Sequence, residues 1–387
     1  MKLDAKKLGY RIIEDNIEFY CCMENYPDLQ EFESVYISGT FNGWLFTGDS
    51  SWLLKKTQEK GKTVFILSKP FSVINVPGNS GFPEFKFFGL SDNSCHILGE
   101  KEGAPNIFLT NKLVLTSEKD FEAFEKLKAS ANVFLKLSDF DLFCPACRAE
   151  IANFRPVPGT KNLFRGYHPY KRSRPYMDTE DERMRLVEEA LELYGINSCI
   201  TLSGYEVCSE MAGETLPPVI EKIEKKNNRL CVNIDYNLVY FHSDAAEYSS
   251  TLSKISKFIL EHTGPYYIHC RLGSDRTGVT CGVFASLAGA SWDEIAEDYE
   301  KTTFCGIGEF RNRKLLAYSI QKMIGKNPAL VSDLQGEMKN YFIRESILKP
   351  AEIDKLIKKF SVSGRKKETD YFNFSGMHIC AKKSIKQ

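Results

Sequence analysis

Residues 265–278 read Pro-Tyr-Tyr-Ile-His-Cys-Arg-Leu-Gly-Ser-Asp-Arg-Thr-Gly, and this segment constrains the chain more than any other. A β-forming run, Tyr266-Tyr267-Ile268, ends on His269-Cys270, and five residues separate Cys270 from Arg276. The apolar positions that follow (Val279, Cys281, Val283, Phe284, Leu287) have the spacing of a buried helix. A strand that passes through a short glycine-bearing loop into a helix is therefore predicted. The sheet end and the helix start then face the same space.

That arrangement has chemical consequences. The first amides of a helix lack partners within it and point at whatever lies in the preceding loop, and the helix dipole adds partial positive charge. A phosphate dianion and the thiolate of Cys270 both gain from this field. Gly273 lets the loop turn with its amides inward, as in an anion nest. Arg276 presents a planar fork that grips two phosphoryl oxygens, which a lysine cannot do. Thr277 has a hydroxyl to give the departing thiolate. His269 is read as orienting the loop by hydrogen bonds, because a thiolate nucleophile needs no base. The backbone and side chains of His269, Arg271, Leu272, Gly273 and Ser274 form the substrate-binding lining.

His-Cys-x5-Arg-Thr-Gly resembles the signature of the cysteine-dependent protein tyrosine phosphatase superfamily, and Gly-x-Asp-Arg-Thr-Gly is similar to its bacterial and fungal tyrosine/dual-specificity-like branch. Leu163-Phe164-Arg165-Gly166 resembles the Leu-Tyr-Arg-Ser opening of those domains, and Gly195–Leu202 their Gly-Ile-x-x-Val-Ile-Asp-Leu strand, with Glu206 following. The likeness spans about residues 160–325 and is strong at the signature loop. It implies an α/β domain with a central sheet flanked by helices, and attack by Cys270 on phosphorus to form a phosphocysteine. In such phosphatases a basic residue at the position of Arg271 accompanies polyanionic substrates.

Cleavage of a phosphate ester also needs a proton for the leaving oxygen. The resemblance implies an Asp from a loop some 30 residues before the cysteine. Asp244 matches: it follows a strand-like Leu238-Val239-Tyr240-Phe241 and precedes a helix around 250–261, which would put it on the sheet edge of Cys270. Asp275, inside the signature loop, is the alternative. Asp235 is a third carboxylate, read as structural among strand-like residues.

Before residue 120 the texture changes to short β-rich runs with Gly and Asn turns: Val35-Tyr36-Ile37, Trp52-Leu53-Leu54, Thr63–Leu67 and 82–89. This pattern predicts a small all-β immunoglobulin-like sandwich. Gly39-Thr40-Phe41-Asn42-Gly43-Trp44, then Glu84-Phe85-Lys86-Phe87-Phe88, then Gly103-Ala104-Pro105-Asn106 looks like a glycogen- and starch-binding carbohydrate-binding module. That likeness implies that Trp44 stacks on a sugar ring while Lys86 and Asn106 bond its hydroxyls. The chain departs where that family has a second stacking tryptophan; Asn93, Cys95 and His96 stand there instead. A Trp44 that only fills the sandwich core is the competing reading.

The predicted organisation is a β-sandwich over 1–115, a helical connector and linker over 116–158, the phosphatase domain over 159–345, and a C-terminal helix and basic tail over 346–387. The connector helix is placed at Glu118–Lys128 and the linker at Pro156–Gly159. Cys144-Pro145-Ala146-Cys147 is half of a zinc pattern with no second half nearby, so neither metal nor cofactor is expected. Fifty-one basic and 51 acidic residues cancel, so no global field recruits nucleic acid or a membrane surface. No apolar run approaches the ~18 residues of a membrane span, and no secretion signal opens the chain. A cytoplasmic protein with reduced cysteines is expected. The expected activity is hydrolysis of phosphate monoesters of the tyrosine/dual-specificity type. Its alternatives are a phosphoglucan or inositol-phosphate phosphatase, acting on a phosphorylated protein, a phosphoglucan or another phosphate monoester, and a non-catalytic glycan- or protein-binding module.

Overall fold

A computed structural model describes residues 9–25, 34–39, 41–42, 50–74, 84–91, 94–97, 107–108, 134–204, 216–309, 311, 313–362 and 370–377. The chain forms two compact units, Met1–Asn132 and Val133–Gln387.

The first unit is antiparallel. Its strands are β1 (Tyr10–Ile13), β2 (Asn16–Cys22), β3 (Ser34–Gly39), β4 (Leu53–Glu59), β5 (Lys62–Pro70), β6 (Glu84–Ser91), β7 (Ser94–Ile97) and β8 (Ile107–Phe108). They pair in the order β1-β2-β5-β4-β3-β6-β7, with β8 also on β6. The joint is β4: Leu53 and Leu54 pair with β3, and Lys55–Glu59 with β5. The sandwich expectation thus becomes one continuous hydrogen-bonded antiparallel path. Its core is aromatic, with Phe19 against Phe41 and Phe85 at ring distances of 5.4 and 5.1 Å, and Phe41 stacked on the buried Trp52. Asn42 closes the turn after β3, accepting from Gly39 N and donating to Ile37 O. Lys86 lies half-buried on β6 opposite Ser38. Trp44, Asn106 and the expected 118–128 helix lie outside the described residues.

The second unit is built on a five-stranded sheet of β9 (Arg155–Pro156), β10 (Leu163–Gly166), β11 (Ser198–Thr201), β12 (Arg229–Cys231) and β13 (Tyr266–His269), in the order β12-β11-β13-β10-β9. All neighbours are parallel except β9, which runs against β10. The central strand alternates: Tyr266 and Ile268 enter the core on one face and Tyr267 the core on the other. On the face of Tyr267 lie α1 (Pro145–Ala152), α2 (Glu180–Leu193) and α3 (Pro218–Lys225). The opposite face packs α4 (Tyr236–Phe241), α5 (Ala246–Glu261), α6 (Asp275–Leu287), α7 (Trp292–Lys301), α8 (Arg313–Ile324), α9 (Leu334–Arg344) and α10 (Pro350–Ser361).

Several expectations change here. The run Leu238–Phe241 is helix and not strand, because a short apolar run fits a buried helix as well as a strand. Its Val239 carbonyl accepts from Ser319 Oγ on α8 at 2.5 Å. Pro156–Gly159 is not a linker: Arg155–Pro156 form the edge strand β9, and Val157 is buried and bonded to Leu163 O. Beyond α10 the chain is more than a tail, since Phe372 and Met377 are buried beside Phe154 in the core of the Tyr267 face. Cys147 on α1 is disulfide-bonded, while Cys144 is a free thiol, so the Cys-x-x-Cys pair is not a matched pair of ligands. Among the described residues no cluster of His, Cys, Asp and Glu is placed to hold a metal, and no helix is long and apolar enough to cross a membrane.

Candidate active site

The parallel register sets the site. His269 stands beside Thr201 on one side and Gly166 on the other, and Thr201 stands beside Cys231. Residues that follow Gly166, Thr201, Cys231 and His269 therefore leave the sheet at one carboxyl edge, where ligands of open α/β sheets gather. Cys270 begins the loop there, and α6 starts at Asp275.

The loop turns its carbonyls outward one after another. Cys270 O accepts from His269 Nδ1 at 3.1 Å. Arg271 O accepts from His168 N and from Ser173 Oγ, both at 3.1 Å. Leu272 O accepts from Asn153 Nδ2 at 2.8 Å, and Gly273 O from Arg165 Nη2 at 2.6 Å. Ser274 O then takes the Gly278 amide at 2.8 Å and starts the helix. With the carbonyls bonded behind the loop, the amides are left to its concave side. Gly273 is required on steric grounds that its sequence position did not reveal. It has φ +74°, and a Cβ on it would lie 2.3 Å from the carbonyl oxygen of Gly166 behind the loop.

His269 is wholly buried, and its ring stacks on Tyr267. Since Nδ1 faces a carbonyl it carries the proton, and Nε2 accepts from the Thr201 hydroxyl at 3.0 Å. Burial pushes its pKa down to about 3; the bond to Cys270 O opposes this, and Arg229 and Arg276 add to it. It is a neutral ring that orients the loop, and its side chain is too deep to meet a substrate. His168 packs edge-on against it at 4.6 Å and is held neutral by burial and by His269. Thr277 is fully buried and its Oγ1 has no hydrogen-bond partner, so a hydroxyl is available at the base of the loop. Arg276 is part-exposed and touches Ile234 O at 3.4 Å.

The three acidic candidates separate. Asp244 lies in the turn between α4 and α5, more than half exposed, with its carboxylate 3.8 Å from Lys322 on α8. Because 238–241 is helical, no strand delivers Asp244 to the edge that bears Cys270. Asp275 lies in the loop's first helical turn, but its carboxylate is engaged. It accepts from Tyr240 OH at 2.6 Å and from Ser274 Oγ at 3.1 Å, and pairs with Arg311 Nη2 at 2.7 Å. Burial raises its pKa, yet Arg311 and these hydrogen bonds outweigh burial and hold it below the usual carboxylate range. Asp235, read as strand-embedded, is in fact exposed in the loop after β12, next to the Ile234 carbonyl that Arg276 touches.

Behind the loop stands a group of residues that the sequence reading did not single out for any role. Asp298 on α7 accepts from Arg155 Nε and Arg165 Nη1, each at 2.6 Å, and the three side chains are almost fully buried. The two arginines hold Asp298 as a carboxylate although burial opposes it. The Leu-Phe-Arg-Gly motif had pointed to position 165 without saying what its guanidinium does.

Residues 221–361 match the model of the tyrosine phosphatase family. Among solved structures, the core catalytic domain of the PP-IP phosphatase SIW14 from S. cerevisiae, in complex with citrate, is 18% identical with a TM-score of 0.27, over 51% of this chain and 94% of its own. No curated protein matches the chain. The family match runs through the Cys270–Arg276 loop and lies within the second unit, which over residues 221–361 is similar to tyrosine phosphatases.

Proposed function

We propose that the second unit hydrolyses phosphate monoesters through a phosphocysteine, with a polyanionic ester as its preferred substrate. Cys270 Sγ attacks phosphorus as the ester C–O–P bond breaks on the oxygen–phosphorus side, and the leaving oxygen takes a proton. Water then attacks the phosphocysteine, releasing inorganic phosphate and the thiolate. The loop amides and Arg276 hold the equatorial oxygens, and Thr277 Oγ1 bonds the sulfur as it departs. The observation that carries this reading is the row of outward-bonded carbonyls from Cys270 to Gly273, which leaves the donors facing the nucleophile.

Charge around the rim supports the substrate class. Arg172, Arg174 and Arg229 each pair with a carboxylate. Among the described residues Lys171, Arg271 and Arg276 have no carboxylate within ion-pair distance, and Arg271 is fixed toward the 168–173 segment by its bond to Ser173 O at 3.0 Å. Three uncompensated cations at one loop suit an ester with further negative charge, such as an inositol phosphate or a phosphoglucan, better than an isolated phosphotyrosine. The proton donor in this reading is Asp235, exposed next to the Ile234 carbonyl that Arg276 reaches, whereas Asp275 is engaged by Arg311, Tyr240 and Ser274.

Release of phosphate from an aryl phosphate, a phosphotyrosine peptide, an inositol polyphosphate and a solubilised phosphoglucan tests both parts. Loss of all turnover in Cys270→Ser is expected, with kcat/KM highest on the polyanions. Equal or higher values on the phosphotyrosine peptide would return the reading to a tyrosine/dual-specificity protein phosphatase. Turnover unaffected by Cys270→Ser removes the mechanism. For the first unit, glucan binding by Trp44, Lys86 and Asn106 is tested by retention on amylopectin, lost in Trp44→Ala.

A further inference from the structure

We infer that Asn153 and Arg165 are positioning residues that set the direction of the loop amides, an inference that rests on the reading of the Cys270–Arg276 loop as the phosphate cradle. Leu272 and Gly273 lie midway along the loop, where neither the strand nor the helix supplies a partner for their carbonyls. A peptide unit free to rotate there could turn its oxygen inward, exchanging a donor for a partial negative charge facing the phosphate. Asn153 Nδ2 and Arg165 Nη2 remove that freedom by taking those two oxygens.

Each of the two is itself fixed. Asn153 is fully buried at the carboxyl end of α1 with φ 48°, a left-handed conformation that Asn tolerates. Its Oδ1 accepts from Arg155 Nη1 and, at 3.2 Å, from Cys305 Sγ, so Nδ2 has to face Leu272. Arg165 divides its guanidinium between Asp298 Oδ2 and Gly273 O, each at 2.6 Å. Arg155 joins the two clamps, since it bonds both Asn153 and Asp298. The same cluster therefore fixes two successive peptide units from behind, without touching the substrate.

Asn153→Gly keeps the left-handed backbone and deletes the clamp together with the Oδ1 bonds from Arg155 and Cys305, and Arg165→Lys keeps one positive charge but cannot reach Asp298 and Gly273 together. For each, kcat and KM on an aryl phosphate, the inhibition constant of orthovanadate, and the thermal midpoint would be measured in the full-length chain. Expected is a fall in kcat of about 100-fold, as for a displacement of about 1 Å at a reacting centre, with vanadate binding weakened in parallel and KM changed far less. If Arg165→Lys does not fold, Asn153→Gly decides alone. A lowered thermal midpoint with kcat and vanadate affinity unchanged makes the cluster purely structural and overturns the inference. A wild-type chain that neither turns over the ester nor binds vanadate overturns the phosphatase reading itself, which is a distinguishable failure.

Discussion

Two networks of charge meet at the signature loop, and they differ in their access to water. Arg155, Asp298 and Arg165 have side chains 1%, 7% and 1% exposed. The chain from Arg174 through Glu309 and Arg311 to Asp275 has side chains between 13% and 21% exposed. In the first, no solvent can replace a missing partner, so the charges fix geometry and removing one strands another. In the second, water reaches the carboxylates and guanidinia, so a lost partner is partly replaced. The buried network sets the shape of the loop, whereas the rim network sets the charge state of one loop residue, Asp275.

The largest expected effect comes from breaking the buried side. Arg165→Met should cost about 3–5 kcal/mol of stability, the usual loss when one partner of a buried pair is removed, against a smaller loss for the part-exposed Arg311→Met. Urea unfolding of both variants checks this, and equal losses would dissolve the distinction. Next comes the loop itself. Gly273→Ala drives a Cβ into the Gly166 carbonyl and should lower kcat about 100-fold by displacing the amides; a loss under about threefold in steady-state turnover would show that the loop yields freely.

Buried histidines on the fixed side give a pH effect. The folded pKa of His269 is about 3, below its ordinary 6.5, so the unfolded chain takes up the proton first. Its share of stability is whole above pH 6.5 and is lost as pH falls from 6.5 toward 3, at about 1.4 kcal/mol per pH unit. Thermal melts across that window should show this slope, flattened in His269→Asn; an unchanged slope assigns the acid sensitivity elsewhere.

The smallest effect on folding tests the rim. Arg311→Gln should let the Asp275 pKa rise. With Asp235 as proton donor, the basic limb of the kcat/KM profile stays in place in Arg311→Gln and disappears in Asp235→Asn. A basic limb that moves to higher pH in Arg311→Gln, and vanishes in Asp275→Asn, would make Asp275 the donor instead.

Much of this site was legible in the chain. The strand, loop and helix around Cys270 appear where the Tyr266–Ile268 run and the apolar spacing after Arg276 put them, because each of those signals is local. The strand within 195–202 was equally readable, as were β3, β5 and α10. The reading failed at Leu238–Phe241, where four apolar residues fit either period, so Asp244 follows a helix and not a strand, and Asp235 lies exposed in the loop after β12. It failed also at Pro156–Gly159, whose turn chemistry resembles a linker but whose Val157 is covered by the core. Nothing local marks Asn153, Asp298 or Arg311, since each gains its role from partners more than a hundred residues away or, for Arg311, across a loop and two helices.

The sequence by itself determined the strand, loop and helix that carry Cys270 and Arg276, because those signals depend on spacing along a few residues. The tertiary structure alone decided which way the loop faces. Peptide orientation between Cys270 and Gly273 is a matter of where acceptors find donors, and those donors come from the ends of α1 and β10 and from the segment after Gly166. It likewise decided that Asp275 is held by Arg311, since that depends on which cation the fold sets beside it.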